Sequence, residues 1–501
     1  QTTMEEVLRS LALFRPEMAL TAGLLLVVIV DSIGGAWRNA AVRLLSLVTL
    51  VAALGFAAQL QTSAAAGSIF SGMLVVDPLG SFFKIILVLA SLLVAAAFTF
   101  RNARELHGLG QGEFHALLLA LTLSNLLLSA SNDLVMLYLS LEMVSITSYV
   151  MVAYLKGDRM SNEASLKYLL FGAASTGAMV YGLSLLYGLT GATSLPQIRE
   201  VLSTGIPGDQ LGLFVATLLV VAGFGFKIAA VPFHFWCPDV YQGAATPVTA
   251  LLSVAPKAAG FAIVLRFFYG TFALPVTSAW DLSGILDWQS LLVVLSVATM
   301  TLGNIAALTQ NDMKRLLAYS SIAHAGYILM GVVALSDAGA RSLLIYLLAY
   351  LFMNLGAFLV VTLVHLHDGT FDLRDYPGLY RRAPLLTLAM GVFMLSLVGI
   401  PPLVGFLGKL YVFGAVINMG PGYYWYAAVG AVNAAIAGFY YMRVLKVMII
   451  DEGNEDKPPL ELAFADRAWL VFFAAANLVP LLFWSRIDEW ARDALTLYAG
   501  R

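Results

Sequence analysis

The chain has 501 residues, of which 60% are hydrophobic and 12% are charged, and its formal net charge at pH 7 is −2. The mean hydropathy of +0.85 is typical of membrane proteins and excludes an ordinary soluble domain. The near-neutral charge argues against a nucleic-acid partner. Cys237 is the single cysteine, which excludes an internal disulfide, a cysteine-ligated iron–sulfur cluster and a CxxC redox pair.

Long apolar segments alternate with short polar ones, and about fourteen of them are long enough to cross a bilayer core, which requires about 20 residues. We therefore predict an all-α polytopic membrane protein with about fourteen transmembrane helices. The first span lacks a small-residue cleavage site closely after it, so we expect a true span rather than a removed signal peptide. The predicted spans are centred near Leu25, Val51, Leu89, Leu119, Val144, Met179, Val221, Ile263, Val297, Leu329, Val360, Val404, Ala434 and Phe473.

Positive charges are distributed unevenly between the loops. Because Lys and Arg gather in cytoplasmic loops, the pattern predicts fourteen spans with both termini on the outer side of the membrane. Loops after odd-numbered spans contain sixteen such residues: Arg38, Arg43, Arg101, Arg104, Lys156, Arg159, Lys167, Lys314, Arg315, Arg374, Arg381, Arg382, Arg443, Lys446, Lys457 and Arg467. Loops after even-numbered spans contain three: Arg199, Arg266 and Arg341.

Four ionisable residues lie within predicted spans. Lys227 in GFGFKIAAVP, Lys257 in SVAPKAAGF and Lys409 in GIPPLVGFLGKLY each have a helix-breaking proline or glycine nearby. Glu142, in LYLSLEMVSITSYV, is close to the middle of its span. A charge at the centre of the bilayer costs about 2.5–3.5 kcal/mol on insertion scales, so we predict that these side chains lie in the protein interior and transfer ions. Burial lowers the pKa of a lysine, whereas a nearby carboxylate raises it. A lysine subject to both effects can gain and lose a proton.

Each of these residues also has a purely structural interpretation. Lys227 could form a fixed ion pair, and Glu142 could be protonated and hydrogen-bonded to a neighbouring helix. Lys257 and Lys409 could extend to a membrane interface. His324, in YSSIAHAGY, could relay protons or be a neutral core residue.

The remaining charged residues and histidines give weaker predictions of function. His234 follows a predicted helix break and could lie at an exit or cap the freed backbone. The pairs Lys314–Arg315 and Arg381–Arg382 are typical loop charges. His365 and His367 lack a third ligand at convincing spacing, so we predict no metal site. Solvated or interfacial positions near helix ends are expected for Lys84, Asp133, Lys167 and Asp239.

Prolines interrupt two of the predicted spans. Pro232 follows Lys227 in span seven, and Pro401 and Pro402 precede Lys409 in span twelve. Proline lacks an N–H and clashes with the carbonyl four residues earlier, so both helices are expected to break, and the freed backbone must line a hydrated place. Paired breaks five spans apart predict two inverted five-helix repeats. The predicted divisions are 1–110 (helices 1–3), 111–275 (first repeat, helices 4–8), 285–450 (second repeat, helices 9–13) and 451–501 (loop and helix 14).

Several consecutive motifs between about Asp77 and Lys446 resemble the N-subunit family of respiratory complex I, the bacterial counterparts of mitochondrial subunit 2. The motifs are SNEASLKYLLFGAASTGAMVYGLSLLYGLTG, FGFKIAAVPFHFWCPDVYQGAATPVTALLSVAPKAAGFAIVLR, NDMKRLLAYSSIAHAGYILMG and GIPPLVGFLGKLYVF. The related M subunits have glutamate where this chain has Lys409, and L-type subunits have a long lateral helix after the core. Lys409 and an end soon after span fourteen both favour the N type.

The resemblance implies an antiporter-like, proton-translocating subunit in the membrane arm of an NADH:quinone oxidoreductase. It implies that Glu142 is the acid of the fifth helix, Lys227 its partner on the broken seventh, Lys257 the central lysine of the eighth, and Lys409 the terminal lysine on the broken twelfth. With His324 as a relay, these are the predicted proton-translocating residues.

The resemblance also implies partners and cofactors outside this chain. We expect FMN, iron–sulfur clusters and quinone in other subunits and none here, and we expect contacts with an M subunit, small K- and J-type subunits and membrane lipids. Two other functions stay open at this point. The chain could belong to a multi-subunit Na⁺/H⁺ antiporter, or it could be a passive scaffold in which buried charges only fix helix register.

Overall fold

The chain folds into a bundle of long, mostly apolar helices. The structure is a computed structural model that describes residues 4–35, 37–62, 67–98, 111–204, 210–276, 279–282, 287–453 and 457–495. Within these ranges twelve helices are long and apolar enough to cross a membrane, and one bent helix pair adds a thirteenth. The prediction of an all-α polytopic membrane protein is confirmed. Arg101 and Arg104, which entered the loop-charge count, lie outside the described residues.

Eleven α-helices are found among the described residues of the first part of the chain. They are α1 (Met4–Leu13), α2 (Arg15–Ile33), α3 (Arg38–Thr62), α4 (Pro78–Ala97), α5 (Gln111–Ala130), α6 (Leu134–Val152), α7 (Arg159–Thr190), α8 (Leu195–Ser203), α9 (Gln210–Ile228), α10 (Trp236–Gly243) and α11 (Thr246–Phe272). A two-stranded antiparallel hairpin, β1 (Gly67–Ile69) and β2 (Leu74–Val76), precedes α4. A second, β3 (Ala273–Val276) and β4 (Ala279–Leu282), follows α11.

Nine helices form the second part. They are α12 (Trp288–Ala307), α13 (Met313–Val333), α14 (Asp337–Asp368), α15 (Leu379–Arg382), α16 (Pro384–Val398), α17 (Val404–Ile417), α18 (Tyr424–Ile449), α19 (Phe464–Ala476) and α20 (Trp484–Asp493). The start of α13 follows from the sequence. Asp312 caps this helix, because its side chain accepts a hydrogen bond of 2.9 Å from the backbone N–H of Arg315, and aspartate is favoured at helix N-termini.

Each of the fourteen predicted span centres lies in one of these helices. Spans one to eleven and thirteen are the twelve long helices. Span twelve consists of two short helices, α16 and α17, and span fourteen begins with α19, which is bent by 42° against the helical segment that follows it. The inverted relation between the two sets of five helices, and the domain divisions based on it, remain predictions.

Both predicted breaks occur beside the lysines. Helix α9 ends at Ile228, one residue after Lys227, and Ala229 has a positive φ of 58°, which is uncommon for a residue with a side chain. Helix α16 ends at Val398, and Gly399 follows with a φ of 90°. The backbone therefore leaves the helical path at both places, and α10 and α17 resume it.

The core of the bundle is formed by α11, α13 and α14. Helix α11 is buried over the whole of its apolar span, whereas α2, α3, α7 and α18 are buried over only about a third of theirs. The outer helices turn apolar side chains away from the protein, as expected for a surface in contact with lipid or other subunits. Residues on α11, α13 and α14 are therefore the ones farthest from the surroundings.

Lys84 corrects an expectation from the sequence. It lies on α4 with only 1% of its surface exposed, and its Nζ is 2.7 Å from Oε1 of Glu17 on α2. Both side chains are buried. Extension of Lys84 to an interface is therefore wrong, because Glu17, in the first long helix, provides a carboxylate partner that the sequence pattern did not reveal.

A second correction concerns the charges at the start of α13. Lys314 is buried, and its Nζ donates to the carbonyl oxygen of Ala244 at 2.6 Å, so it is not an ordinary loop charge. Its neighbour Arg315 donates to Asp239 at 2.5 Å, and Lys167 of α7 donates to the same carboxylate at 2.7 Å. Lys167 and Asp239 are thus ion-paired at the protein edge rather than simply solvated.

A buried ion pair joins three elements at the opposite end of the bundle. Arg266 of α11 donates from Nη1 and Nη2 to both carboxylate oxygens of Asp77, at 2.9 and 2.7 Å, and from Nε to the carbonyl oxygen of Ser129. Asp77 also caps α4, accepting from the N–H of Gly80. Because both partners are buried and fully hydrogen-bonded, the pair fixes α4, α5 and α11 relative to each other.

We expect the substitution Arg266→Met to lower the free energy of unfolding by about 3–5 kcal/mol, because it leaves the Asp77 carboxylate buried without its partner. Thermal unfolding of the purified chain in detergent measures this. The control is Arg374→Met, since Arg374 pairs with Asp372 on the exposed surface and its loss should leave the melting temperature unchanged. Equal melting temperatures for the two variants would contradict the prediction.

Candidate functional site: a buried row of lysine, histidine and tyrosine side chains

Lys227 lies in the last turn of α9 and is 1% exposed. Its Nζ donates a hydrogen bond of 3.0 Å to Oγ of Ser145 on α6. The carbonyls at a helix C-terminus carry partial negative charge, so this position favours an ammonium group. Gly260 of α11 packs here, and a Cβ in its place would come within 3.2 Å of Cγ of Lys227. The absence of a side chain at Gly260 therefore allows the core helix to approach the lysine.

Glu142 differs from what the sequence led us to expect. It lies on α6, three residues before Ser145, but it is half-buried rather than enclosed. Its carboxylate attracts the Lys227 ammonium through space, and no direct ion pair joins these two described residues. The alternative of a fixed ion pair is therefore not what the structure contains. Glu142 therefore lies near the surface of the protein and does not contact Lys227 directly.

Lys257 occupies the middle of α11 and is 3% exposed. Its Nζ donates to Oγ of Ser321 on α13, and it lies 5.6 Å from the centre of the Tyr241 ring. The sulfur of Cys237 is 4.0 Å from the same serine oxygen. Lys257 is thus held inside the bundle and does not extend to a membrane interface.

His324 lies one helical turn after Ser321 and is 2% exposed. Its Nδ1 is 2.8 Å from the hydroxyl of Tyr346 on α14, and its Nε2 is 3.1 Å from the hydroxyl of Tyr441 on α18. The Tyr441 hydroxyl also hydrogen-bonds Ser320. A hydroxyl can donate or accept, so both tautomers of the imidazole are satisfied. The histidine can therefore exchange which nitrogen carries the proton without losing a partner.

Lys409 reaches back across the break in span twelve. Its Nζ donates to the carbonyl oxygens of Leu397 at 3.0 Å and Val398 at 2.6 Å, the last two residues of α16. It is also 4.8 Å from the centre of the Tyr327 ring. Helix-end carbonyls and an aromatic face both stabilise a cation, so this lysine is held inside the protein.

Tyr327 belongs to a hydrogen-bonded network on the far side of Lys409. Its hydroxyl accepts from Nδ2 of Asn304 at 3.0 Å, and Oδ1 of Asn304 accepts from Tyr440 at 3.1 Å. Asn433 of α18 in turn donates to Thr301 at 3.1 Å. This network joins α12, α13 and α18 and fixes the ring that faces Lys409.

One face of α13 connects the separate lysines. Ser321, His324 and Tyr327 are three residues apart, so they lie along one side of the helix. They contact Lys257 at one end and Lys409 at the other. We call the set Lys227, Lys257, Ser321, His324, Tyr346, Tyr441, Tyr327 and Lys409 the buried axis.

Sequence reasoning identified the lysines and His324 but not the hydroxyl groups that join them. The three-residue spacing in YSSIAHAGY could have indicated Ser321 and Tyr327. No sequence signal distinguishes Ser145, Tyr346 or Tyr441 from the many other serines and tyrosines, because their roles depend on which helices pack together. His234 lies buried in the break after α9, and its Nδ1 has no hydrogen-bond partner among the described residues.

The chemistry of the axis is that of proton transfer. Ammonium, imidazole and hydroxyl groups can all donate protons, and after release the amine and the imidazole can accept them. Within the part of the chain that the structure describes, no cluster of His, Cys, Asp and Glu could hold a metal ion. Breaks beside Lys227 and Lys409 expose backbone that water can solvate.

Comparison with known proteins finds a family and relatives that this chain matches. Residues 131–436 match the family described as NADH:quinone oxidoreductase/Mrp antiporter, TM. NADH-quinone oxidoreductase subunit N of Anaeromyxobacter sp. (strain Fw109-5) is 44% identical over 519 residues, covering 99% of each chain. NAD(P)H-quinone oxidoreductase subunit 2 of Synechocystis sp. (strain ATCC 27184 / PCC 6803 / Kazusa) is 45% identical, covering 88% of this chain and 82% of its own.

Solved structures show the same fold. A chain of respiratory complex I from Thermus thermophilus with bound Aureothin is 30% identical with a TM-score of 0.77, covering 95% of this chain and 98% of its own. A chain of the Mrp complex from Dietzia sp. DQ12-45-1b has a TM-score of 0.83 with 98% coverage of both chains, but it is only 20% identical. The second likeness therefore shows the fold alone.

Two tyrosines beside His324 provide a matched test. Tyr346 hydrogen-bonds the imidazole, whereas the hydroxyl of Tyr350, whose ring lies 5.1 Å from the imidazole ring, has no hydrogen-bond partner among the described residues. We expect Tyr346→Phe to lower the free energy of unfolding by about 1–2 kcal/mol, because a buried imidazole nitrogen loses its partner. Tyr350→Phe should be neutral. Thermal unfolding in detergent measures both, and an equal loss in the two variants would contradict the assigned hydrogen bond.

Proposed function

Since the chain belongs to the NADH:quinone oxidoreductase/Mrp antiporter family, and within it to the N subunits of NADH-quinone oxidoreductases, we propose that it moves protons through the buried axis. It is a membrane subunit of a respiratory oxidoreductase complex. The observation that carries the proposal is the row of buried, hydrogen-bonded groups that leads from Lys257 through His324 to Lys409.

The proposed cycle begins at Glu142 and Lys227. A rearrangement driven by redox chemistry in neighbouring subunits changes the distance between the carboxylate and the ammonium. Because Glu142 attracts Lys227 without contacting it, a small movement changes how strongly Lys227 holds its proton. Ser145 keeps Nζ in place during this change, since it is the direct hydrogen-bond partner.

The proton then passes along the axis. Gly260 brings α11 against Lys227, so the proton moves to Lys257 over a short buried distance that water completes. Ser321 and His324 carry it along α13. Lys409, beside Tyr327 and the end of α16, receives it and releases it at the far side.

The energies are of compatible size. Moving one proton against 100 mV costs about 2.3 kcal/mol. A shift of two pKa units in a transfer group corresponds to about 2.7 kcal/mol. A two-unit change in the pKa of one transfer group therefore matches the cost of moving one proton.

The remaining parts of the proposal concern the assembly. FMN, iron–sulfur clusters and quinone belong to other subunits, and this chain has no redox centre of its own. An M-type subunit and small K- and J-type subunits are its neighbours, in the cell inner (plasma) membrane, with both termini on the periplasmic side. The orientation of the termini is supported by the Lys and Arg residues, most of which gather in the predicted cytoplasmic loops.

The Na⁺/H⁺ antiporter alternative has less support. The relatives that are 44% identical are subunits of quinone oxidoreductases, whereas the likeness to the Mrp chain shows only the fold. Gentle solubilisation followed by mass spectrometry of the co-purified proteins separates the two. Iron–sulfur and flavin subunits support the proposal, and a set of membrane-embedded antiporter subunits alone would overturn it.

We expect Lys227→Ala in the assembled complex to reduce NADH-driven proton pumping by about tenfold or more, because it removes a proton donor and acceptor from the axis. Acidification of inverted membrane vesicles, normalised to the amount of assembled complex, measures the effect. The control is Lys446→Ala, since Lys446 pairs with Asp451 at the exposed end of α18 and its loss should leave pumping intact. Normal pumping in the Lys227 variant would contradict the mechanism and favour the passive scaffold.

Gly399 offers a test that changes no charge. A Cβ there would lie 2.9 Å from Cδ of Lys409, and the φ of +90° already disfavours a side chain. Gly369, which follows α14 in the same left-handed conformation with a φ of +73°, has open space around it. Both alanine variants therefore incur a backbone cost of about 1–2 kcal/mol, while only Gly399→Ala displaces the lysine.

We accordingly expect Gly399→Ala to lose most proton pumping and Gly369→Ala to retain it, with similar losses of thermal stability. The same vesicle assay and detergent melting curves provide both measurements. Equal pumping in the two variants would show that the position of Lys409 does not matter for transport.

A further inference from the structure

A cavity of about 550 Å³ opens between α5, α6 and α7, outside the buried axis. Its inner walls are apolar side chains from the three helices, including Leu117, Ile146, Val150 and Leu169. The last three are 57%, 49% and 45% exposed, so the cavity faces outward from the bundle. Its volume is in the range of ligand-binding sites.

The walls of the cavity are fixed by hydrogen bonds between α6 and α7. Ser161 donates to the carbonyl oxygen of Val152 at 2.6 Å, and Ser165 donates to that of Tyr149 at 3.0 Å. Asn162 donates to the backbone carbonyl of Lys156 at 3.1 Å. The cavity is therefore a preformed feature of the helix packing and not a gap left by one loose side chain.

The rim of the cavity carries one acid and one base. Glu113, in the first turn of α5, and Lys156, in the loop after α6, form an ion pair of 3.6 Å with each other, with their side chains 57% and 75% exposed, so a zwitterionic headgroup can replace each partner by a group of the same charge. This rim is at the end of the spans where the predicted cytoplasmic charges gather. Pockets that bind anionic lipids are lined by basic residues, whereas this one presents both signs of charge.

We propose that this cavity binds one phospholipid whose headgroup contains both a phosphate and a primary ammonium group, that is, a phosphatidylethanolamine. The phosphate pairs with Lys156 and the ammonium with Glu113, while an acyl chain fills the apolar space along α6. A primary ammonium has N–H groups that a carboxylate can accept, which a quaternary ammonium lacks. Charge complementarity thus selects the headgroup, and the exposed apolar walls select the chain.

The cavity lies close to Glu142, so a bound lipid would also affect the surroundings of this side chain. From Ala153 to Ile146 the cavity extends about 10 Å along α6, and Glu142 is one helical turn deeper. The acyl chain therefore passes beside the half-exposed Glu142 and limits the access of water to it. Binding itself does not depend on proton transport, so the lipid proposal can fail or succeed independently of the proposed function.

The test uses the complete complex in detergent and a phosphatidylethanolamine that carries a photoactivatable diazirine in its acyl chain. Cross-linked peptides are identified by mass spectrometry. We expect labelling of α6 and α7 at the cavity, and we expect Leu169→Trp, which fills the cavity, to reduce it by about tenfold. The matched control is Leu170→Trp, since Leu170 is 61% exposed on the same helix but does not line the cavity, and it should label as the wild type does.

Competition with unlabelled lipids tests the headgroup. Phosphatidylethanolamine should displace the probe at a concentration about tenfold lower than phosphatidylglycerol does. Glu113→Lys makes the rim basic and should reverse this preference. If Leu169→Trp prevents assembly of the complex, Ile146→Trp fills the same space from α6.

Three outcomes would overturn the proposal. Undiminished labelling in both cavity-filling variants would show that the lipid binds elsewhere. Equal or stronger competition by phosphatidylglycerol in the wild type would show that the rim does not select a zwitterionic headgroup. A photo-cross-linking amino acid at Leu169 that captures another subunit instead of lipid would show that a protein helix covers the cavity.

Discussion

The structure depends on how positive charge is stabilised where water is scarce. A lysine in the interior of a membrane protein must find acceptors within the protein, and none of the three axis lysines makes a direct ion pair with a carboxylate among the described residues. Lys227 and Lys257 instead use serine hydroxyls, and Lys409 uses carbonyls at a helix end. Neutral partners leave each ammonium group free to lose its proton, because no carboxylate is left uncompensated when it does.

Helix breaks make this arrangement possible. Within a continuous helix each carbonyl already accepts from the N–H four residues later, whereas the last carbonyls of a helix have no such backbone partner. The end of α16 leaves the carbonyls of Leu397 and Val398 available, and Lys409 occupies them from across the break. The prolines of span twelve therefore do more than bend the chain, since the break that they cause leaves backbone carbonyls where Lys409 binds them.

Ion pairs of carboxylates with basic side chains occur elsewhere in the molecule, with a different consequence. Glu17 with Lys84, and Asp77 with Arg266, are buried pairs away from the axis. In such pairs the removal of one partner leaves the other charge buried and unsatisfied, so the pair fixes the positions of its helices. The described residues thus contain buried ion pairs that hold the bundle together and lysines with neutral partners, for which we propose proton exchange. Glu142, half-exposed and near the proposed lipid, belongs to neither set.

Much of the architecture could be predicted from the sequence. Fourteen apolar segments are visible because each must cover a bilayer-thick length, and the breaks are visible because proline cannot continue a helix. Lys227, Lys257, His324 and Lys409 stood out because charge and imidazole are rare in such segments. These are local properties, readable from one stretch of chain at a time.

Only the tertiary structure decided which neutral groups join the candidates. Tyr346 and Tyr441 come from helices far apart in sequence, and they meet His324 only because α14 and α18 pack against α13. The burial of Lys84 likewise required Glu17 of another helix. A sequence shows which residues are costly in a membrane, but the partners that offset the cost are set by helix packing, in which contacts between distant segments leave no periodic signal along the chain.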